Sequence, residues 1–122
     1  FYQLVDGDYY FGIGGDDEDY INTPNPWSIS LGTTKRTISE GEVLILIETS
    51  DGNASGGTGF TFSITDNQSS STNSQFTGEL SITKLDFTNN IVSGTFWFDI
   101  EHPVTGETVE IRNGRFDTLF TQ

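Results

Sequence analysis

From residue 78 onward, apolar and polar positions alternate almost without interruption. Leu80 and Ile82 alternate with Ser81 and Thr83; Val92, Phe96, Phe98 and Ile100 with Ser93, Thr95, Trp97 and Asp99; Val109 and Ile111 with Thr108, Glu110 and Arg112. A period of two puts each set on one face of a strand. Leu80, Ile82, Phe96, Phe98, Ile100, Val109, Ile111 and Phe116 are therefore expected to form one buried face, closed by Phe120. Residues 102–107 read as a short connection in which Gly106 takes the positive φ of a bulged hairpin, and Asn113-Gly114 suits a two-residue type I′ turn. Gly94, in mid-strand, marks a bulge or room made for a ring. The chain predicts a β-meander at its C-terminal end.

The earlier part is less regular. Residues 1–6 and 9–13 read as two strands around Asp6-Gly7-Asp8, followed by a loop over 14–26. Trp27, Ile29 and Leu31 alternate with Ser28 and Ser30 as a third strand. Residues 43–47 are Val-Leu-Ile-Leu-Ile, a run with no alternation, which suits a strand covered on both faces. Phe60, Phe62 and Ile64 alternate with Thr61, Ser63 and Thr65. Residues 49–59 and 66–75, rich in Ser, Thr, Asn and Gly, are expected to be loops that do not pack. Only residues 37–42 have the makings of a helical turn. About eight or nine short strands with frequent turn signals predict a single all-β domain over residues 1–122. The expected architecture is an antiparallel β-sandwich, with a small β-barrel as the alternative.

Composition narrows the function. A chain of 122 residues with ten Phe, four Tyr and two Trp has enough apolar mass for a core without staples. Cysteine is absent, so disulfides are excluded and the redox compartment is not marked. Methionine is also absent and the chain opens on strand-like residues, so it is expected to be a processed or partial product. The lack of a leader then carries no weight against export. The aliphatic run at 43–47 is far short of the ~20 residues of a spanning helix. Eighteen acidic and five basic residues give a net charge of −13. That field repels nucleic acid and anionic lipid, and five bases make no phosphate-binding stripe. It favours solubility, cations and basic protein surfaces.

Residues 78–86 (Gly-Glu-Leu-Ser-Ile-Thr-Lys-Leu-Asp), 91–98 (Ile-Val-Ser-Gly-Thr-Phe-Trp-Phe), 105–111 (Thr-Gly-Glu-Thr-Val-Glu-Ile) and 113–117 (Asn-Gly-Arg-Phe-Asp) carry a resemblance. Over about 40 residues the chain resembles the C-terminal signature of uncharacterised Bacteroidota lipoprotein-like domains. The resemblance implies an all-β fold and an exported location, periplasmic or tethered at the outer membrane or cell surface by a lipid anchor outside this chain. It implies no catalytic residues, since the family has no assigned activity.

Candidate chemistry is sparse. His102 is the only histidine, placed beside Pro103, and reads as an exposed turn residue; no serine is marked as a nucleophile by a Gly-x-Ser-x-Gly elbow. One His and no Cys argue against structural zinc. Gly12-Ile13-Gly14-Gly15 faintly resembles a phosphate loop, but four acids follow it and a turn is the better reading. Those acids, Asp16, Asp17, Glu18 and Asp19, offer hard oxygen ligands of the kind calcium takes, with Asn22 and Asn25 beyond; a solvated charge run is the plainer account. Asp6-Gly7-Asp8 and Asp51-Gly52-Asn53 are weaker candidates. Trp97 falls on the face opposite Phe96 and Phe98, beside Thr95 and Asp99, while Tyr9, Tyr10 and Tyr20 lie near the acidic run. Aromatic platforms among polar groups hold partner proteins or sugars. The expectation is a non-enzymatic, exported accessory domain acting through protein contacts at an outer-membrane or cell-surface assembly. A carbohydrate-binding module, assisted by calcium, is the alternative.

Overall fold

The structure, a computed structural model, describes residues 2–5, 8–16, 26–33, 36–49, 54–63 and 65–121, and of residues 2–5, 8 and 9 the backbone alone. Among these residues there are nine strands: β1 (Tyr2–Val5), β2 (Asp8–Asp16), β3 (Trp27–Thr33), β4 (Val43–Leu46), β5 (Ala54–Ser63), β6 (Asp66–Ser71), β7 (Gly78–Asp86), β8 (Ile91–Glu101) and β9 (Thr108–Leu119). No α-helix occurs among the described residues. The all-β fold expected from the sequence is the fold observed. The strands form one mixed sheet in the order β1-β2-β3-β5-β4-β7-β8-β9, with β6 on β5, curled into a half-barrel. Two antiparallel limbs, β1-β2-β3-β5-β6 and β4-β7-β8-β9, meet at a single parallel pair, Leu46 with Ala54. The two limbs of this single curled sheet face one another. The rings of Phe11 (β2) and Phe116 (β9) lie 6.3 Å apart between them.

In the C-terminal meander the residues of one parity share the inward face as expected. Leu80 pairs with Phe96, Phe98 with Ile111, and Ile100 with Val109. Leu80, Ile82, Phe98 and Ile100 are fully buried, while Phe96, Val109, Ile111 and Phe116 pack half-buried against them and Phe120 is buried. Glycine and ring are paired reciprocally across β8 and β9, Gly94 with Phe116 and Phe96 with Gly114. A Cβ on Gly94 would sit 2.6 Å from the Phe116 ring. Each ring therefore lies flat over the glycine opposite, and covers backbone that the glycine leaves bare. The ring accommodated by Gly94 is that of Phe116.

Three turns differ in instructive ways. The hairpin at 102–107 forms as expected, with Gly106 at φ 73° and the His102 N–H donating to the Glu107 carbonyl at 2.7 Å. Asn113-Gly114 is not a turn: β9 runs through it. Phe96 pairs with Gly114 and Phe98 with Ile111, so β9 holds one extra residue there, and Asn113 takes φ 56°. A bulge demands the same positive φ as a type I′ turn, and the sequence signature does not separate them. Between β7 and β8, Asp86 caps the turn, its Oδ1 accepting from the Thr88 and Asn89 amides at 2.9 and 3.0 Å and its Oδ2 from the Asn89 side chain at 2.8 Å. The Asn89 side-chain bond, followed by the backbone amides, holds this carboxyl below its ordinary value of 3.8. A depressed folded pKa stabilises above the unfolded value. The Asp86 contribution should be complete above pH 3.8 and vanish as pH falls through the lower folded value. A carboxyl-carbon NMR titration that places Asp86 at or above 3.8 would contradict this.

The middle of the chain departs most from expectation. Residues 43–47 are covered on one face only: Leu44 and Leu46 are buried, whereas Val43 is 56% and Ile45 44% exposed. Residues 54–59 and 66–71, expected as loops, are strands. Ala54, Gly56 and Thr58 face inward on β5 with the same parity as Phe60. At Gly56 the other limb fills the space; a Cβ there would stand 2.9 Å from the Phe98 ring. Residues 14–16, expected as loop, continue β2 against β3. Residues 36–42 form a turn rather than a helix, with Arg36 paired to Glu42 and the Gly41 N–H bonded to the Ile82 carbonyl at 2.7 Å.

Buried Thr72 secures the junction of the limbs. Its hydroxyl accepts from the Gly56 N–H at 3.0 Å and donates to the Ile47 carbonyl at 2.7 Å. Thr72→Val keeps the shape but strands both backbone groups, so it should cost about 1–3 kcal/mol in urea denaturation. An unchanged midpoint would remove Thr72 from the junction.

Candidate binding cleft at the open side of the half-barrel

The curl leaves one side open. Among the described residues, residues 13–16 of β2 pair only with β3, and β9 pairs only with β8, so two strand edges face one another. Between them lies a cleft of about 550 Å³. Its walls are Ile13, Ile29, Leu31, Phe96 and Phe116, with Trp27, Asp16 and Arg115 at the margins and Gly14 and Gly15 along one edge. Inward parity on β2, β3, β8 and β9 supplies the apolar wall. Burial fades along β3 from Leu31 through half-buried Ile29 to Trp27, which is 45% exposed. Trp27 shares the parity of Ile29 and Leu31 but stands at the open end, resting on Phe60 at a ring separation of 5.6 Å.

Gly12-Ile13-Gly14-Gly15 is thus neither phosphate loop nor turn but strand. A Cβ on Gly15 would meet nothing within 4 Å. This bare edge lets another backbone come close. On the far side of Trp27 a second trough, of about 560 Å³, mixes Asp16, Ser28, Asn67, Gln68 and Ser69 with Trp27 and Phe60.

The other sequence candidates are distributed as follows. Trp97, Thr95 and Asp99 do share the outer face of β8. Trp97 is half-buried there, its Nε1–H reaching Glu79 at 3.4 Å and the Arg112 guanidinium lying 5.1 Å from its ring centroid. Arg112 also pairs with Asp99 at 2.7 Å and Glu110 at 3.4 Å. The face is stitched together by its own side chains. Tyr10 is half-buried on β2, separated from β8 by four strands of the sheet order. Tyr9 is placed by its backbone alone, opposite Leu4. Tyr20 lies outside the described residues. Of the acidic run, Asp16 is exposed at the cleft margin, while Asp17, Glu18 and Asp19 lie outside the described residues. No group of three or more metal-ligating side chains occurs among the described residues.

His102 is not the exposed turn residue expected. It is half-buried, its ring 5.0 Å from Phe60 and 5.9 Å from Phe62. Its Nδ1 accepts from the amides of Val104 and Thr105, each at 3.2 Å. The imidazole thereby organises its own hairpin. Periodicity finds Trp97 because parity decides its face, but it does not find the cleft, whose walls are about a hundred residues apart in sequence. The one local signal was a glycine pair beside an acidic run and an aromatic strand start. Compared with known proteins, the chain matches no family model, no curated protein and no solved structure.

Proposed function

We propose that this chain is a non-enzymatic binding domain that works through contacts with another protein, received at the cleft between β2 and β9. The observation that carries the reading is an apolar cleft bordered by two strand edges with no described partner on that side. Apolar walls offer area for burial, and open edges offer backbone donors and acceptors, a combination suited to polypeptide. The exported, lipoprotein-type placement belongs to the same proposal and rests on the sequence resemblance over residues 78–120.

The test uses Trp27→Ala, because Trp27 is an exposed aromatic side chain at the margin of the cleft. A partner retained by the wild-type chain from an envelope extract should be lost with Trp27→Ala. A tryptophan that a partner encloses costs about 2 kcal/mol or more of binding when truncated to alanine. Both proteins should melt within a few degrees of each other. Equal retention by the two would overturn the assignment. A second reading, carbohydrate binding, is favoured by the trough beside Trp27, where amide and hydroxyl groups adjoin an exposed indole. Affinity electrophoresis in soluble polysaccharides separates the two. Asn67→Ala should abolish retardation if the trough holds sugar, whereas Gly15→Val, which touches only the cleft, should leave retardation intact.

A further inference from the structure

Resting on the protein-binding reading of the cleft, we infer that its occupant is an extended segment of a partner protein, added as a β-strand along β9, with apolar residues inward and basic residues outward. Four observations converge on this. First, residues 114–119 of β9 lie beyond the bulge at Asn113 and present an edge that pairs only with β8 among the described residues. In an antiparallel ladder alternate N–H and C=O groups point away from the neighbour, so this stretch offers bonds to an incoming strand. At about 3.3 Å per residue it accommodates about six residues.

Second, the inward surface beneath that edge is apolar, formed by Ile13, Ile29, Phe96 and Phe116. A strand laid along β9 sends alternate side chains onto it and the rest to solvent. Third, the opposite wall is bare. Gly14 and Gly15 carry no side chain, and nothing lies within 4 Å of the space a Gly15 Cβ would take. A second backbone therefore fits against β2 without displacing any described residue. Fourth, Asp16 stands at the cleft margin and Asp117 on the outer face of β9, where its carboxylate accepts from the Ser93 hydroxyl at 2.6 Å, on a chain whose net charge is −13. Opposite charge on the partner steers it in; a second copy of this chain, equally acidic, is repelled. Arg115, paired with Thr95, lies on the outer face of β9 at the margin of the cleft.

The test uses a fluorescent seven-residue peptide of alternating Lys and Val, read by polarisation at low salt. Two control peptides accompany it: the same sequence N-methylated at alternate amides, and a Glu/Val version. The Lys/Val peptide should bind, weaken as salt is raised, and lose about tenfold or more in affinity when its amides are methylated. The Glu/Val peptide should bind at least tenfold more weakly. Gly15→Val, which fits the strand and should leave the melting temperature unchanged, should weaken the Lys/Val peptide about tenfold by filling the cleft. Binding that survives methylation but falls with Gly15→Val rejects the added strand while leaving the cleft a protein-binding site. Binding indifferent to Gly15→Val and to Trp27→Ala removes the cleft from both readings. No binding at millimolar peptide, or preference for Glu/Val, overturns the inference. A concentration-dependent dimer in sedimentation that Gly15→Val abolishes assigns the edge to a second copy and overturns it as well.

Discussion

Phe98→Ala should cost about 3–5 kcal/mol, a large share of the roughly 5–15 kcal/mol that holds a domain of this size together. Phe98 is fully buried at the centre of β8, stacks on Phe96 with 6.2 Å between centroids, and projects onto β5 of the opposite limb. Removing the ring empties space that two limbs share, and neither can close on it without losing its register. The informative experiment is a cycle with Gly56→Ala, followed by urea denaturation. In the wild-type background the new methyl would stand 2.9–3.1 Å from the Phe98 ring and should cost about 1–3 kcal/mol. In the Phe98→Ala background the same methyl enters vacated space and should be neutral or stabilising. Such coupling is expected only of residues in contact. Strict additivity would mean that the limbs do not face one another, and the half-barrel would fall with that result.

The second large effect is expected at Gly78, where β7 begins between β4 and β8. Gly78 pairs with Leu46 on one side and Phe98 on the other. A Cβ there would fall inside 3.0 Å of the Trp97 carbonyl oxygen and of Phe98 Cα and Cβ. These atoms belong to the ladder and cannot rotate aside. Ala for Gly in a strand ordinarily gains about 0.5–1 kcal/mol, so propensity and packing give opposite signs. Gly78→Ala is expected to destabilise by about 3 kcal/mol or more, toward the upper end of overpacking costs. Phe98→Ala should not rescue it, because the obstructing atoms survive that truncation. Gly15→Ala, at an open edge, is the control and should be neutral or slightly stabilising. A Gly78→Ala protein as stable as wild type would show that β7 and β8 approach less closely than described.

Legibility in the sequence followed the size of the inward side chains. Where Leu80, Ile82, Phe98 and Ile100 point inward, alternation announces both the strand and its face. On β5 the inward residues are Ala54, Gly56 and Thr58, and hydrophobicity gives no sign of them. At Gly56 a side chain is excluded because Phe98 arrives from the opposite limb, a fact of tertiary structure. The run at 43–47 errs the other way: its composition suggests two covered faces, but nothing among the described residues covers Val43 and Ile45. Trp97 was placed on the correct face by parity alone, and its neighbours Thr95 and Asp99 came with it. Trp27 obeys the same parity rule, yet lies at the end of the curl where the inward face runs out. The candidate cleft was illegible for the same reason, since curvature is not written in a two-residue period.

The curl has a spine. Opposite the open cleft, the two limbs are bound by the pair Leu46–Ala54, by the Ile47 N–H to the Ala54 carbonyl at 2.9 Å, and by Thr72 bridging Ile47 and Gly56. Every other strand junction is a ladder of several residues; this one is a clasp. A bound sheet of this kind flexes about its narrowest seam, and the displacement is largest at the free edges. The distance between β2 and β9 is therefore expected to respond to this seam, and so to a threonine hydroxyl that hydrogen-bonds to Gly56 and Ile47 rather than to either strand. A change at Thr72 too mild to unfold the domain would still be felt as a change in the width of the cleft.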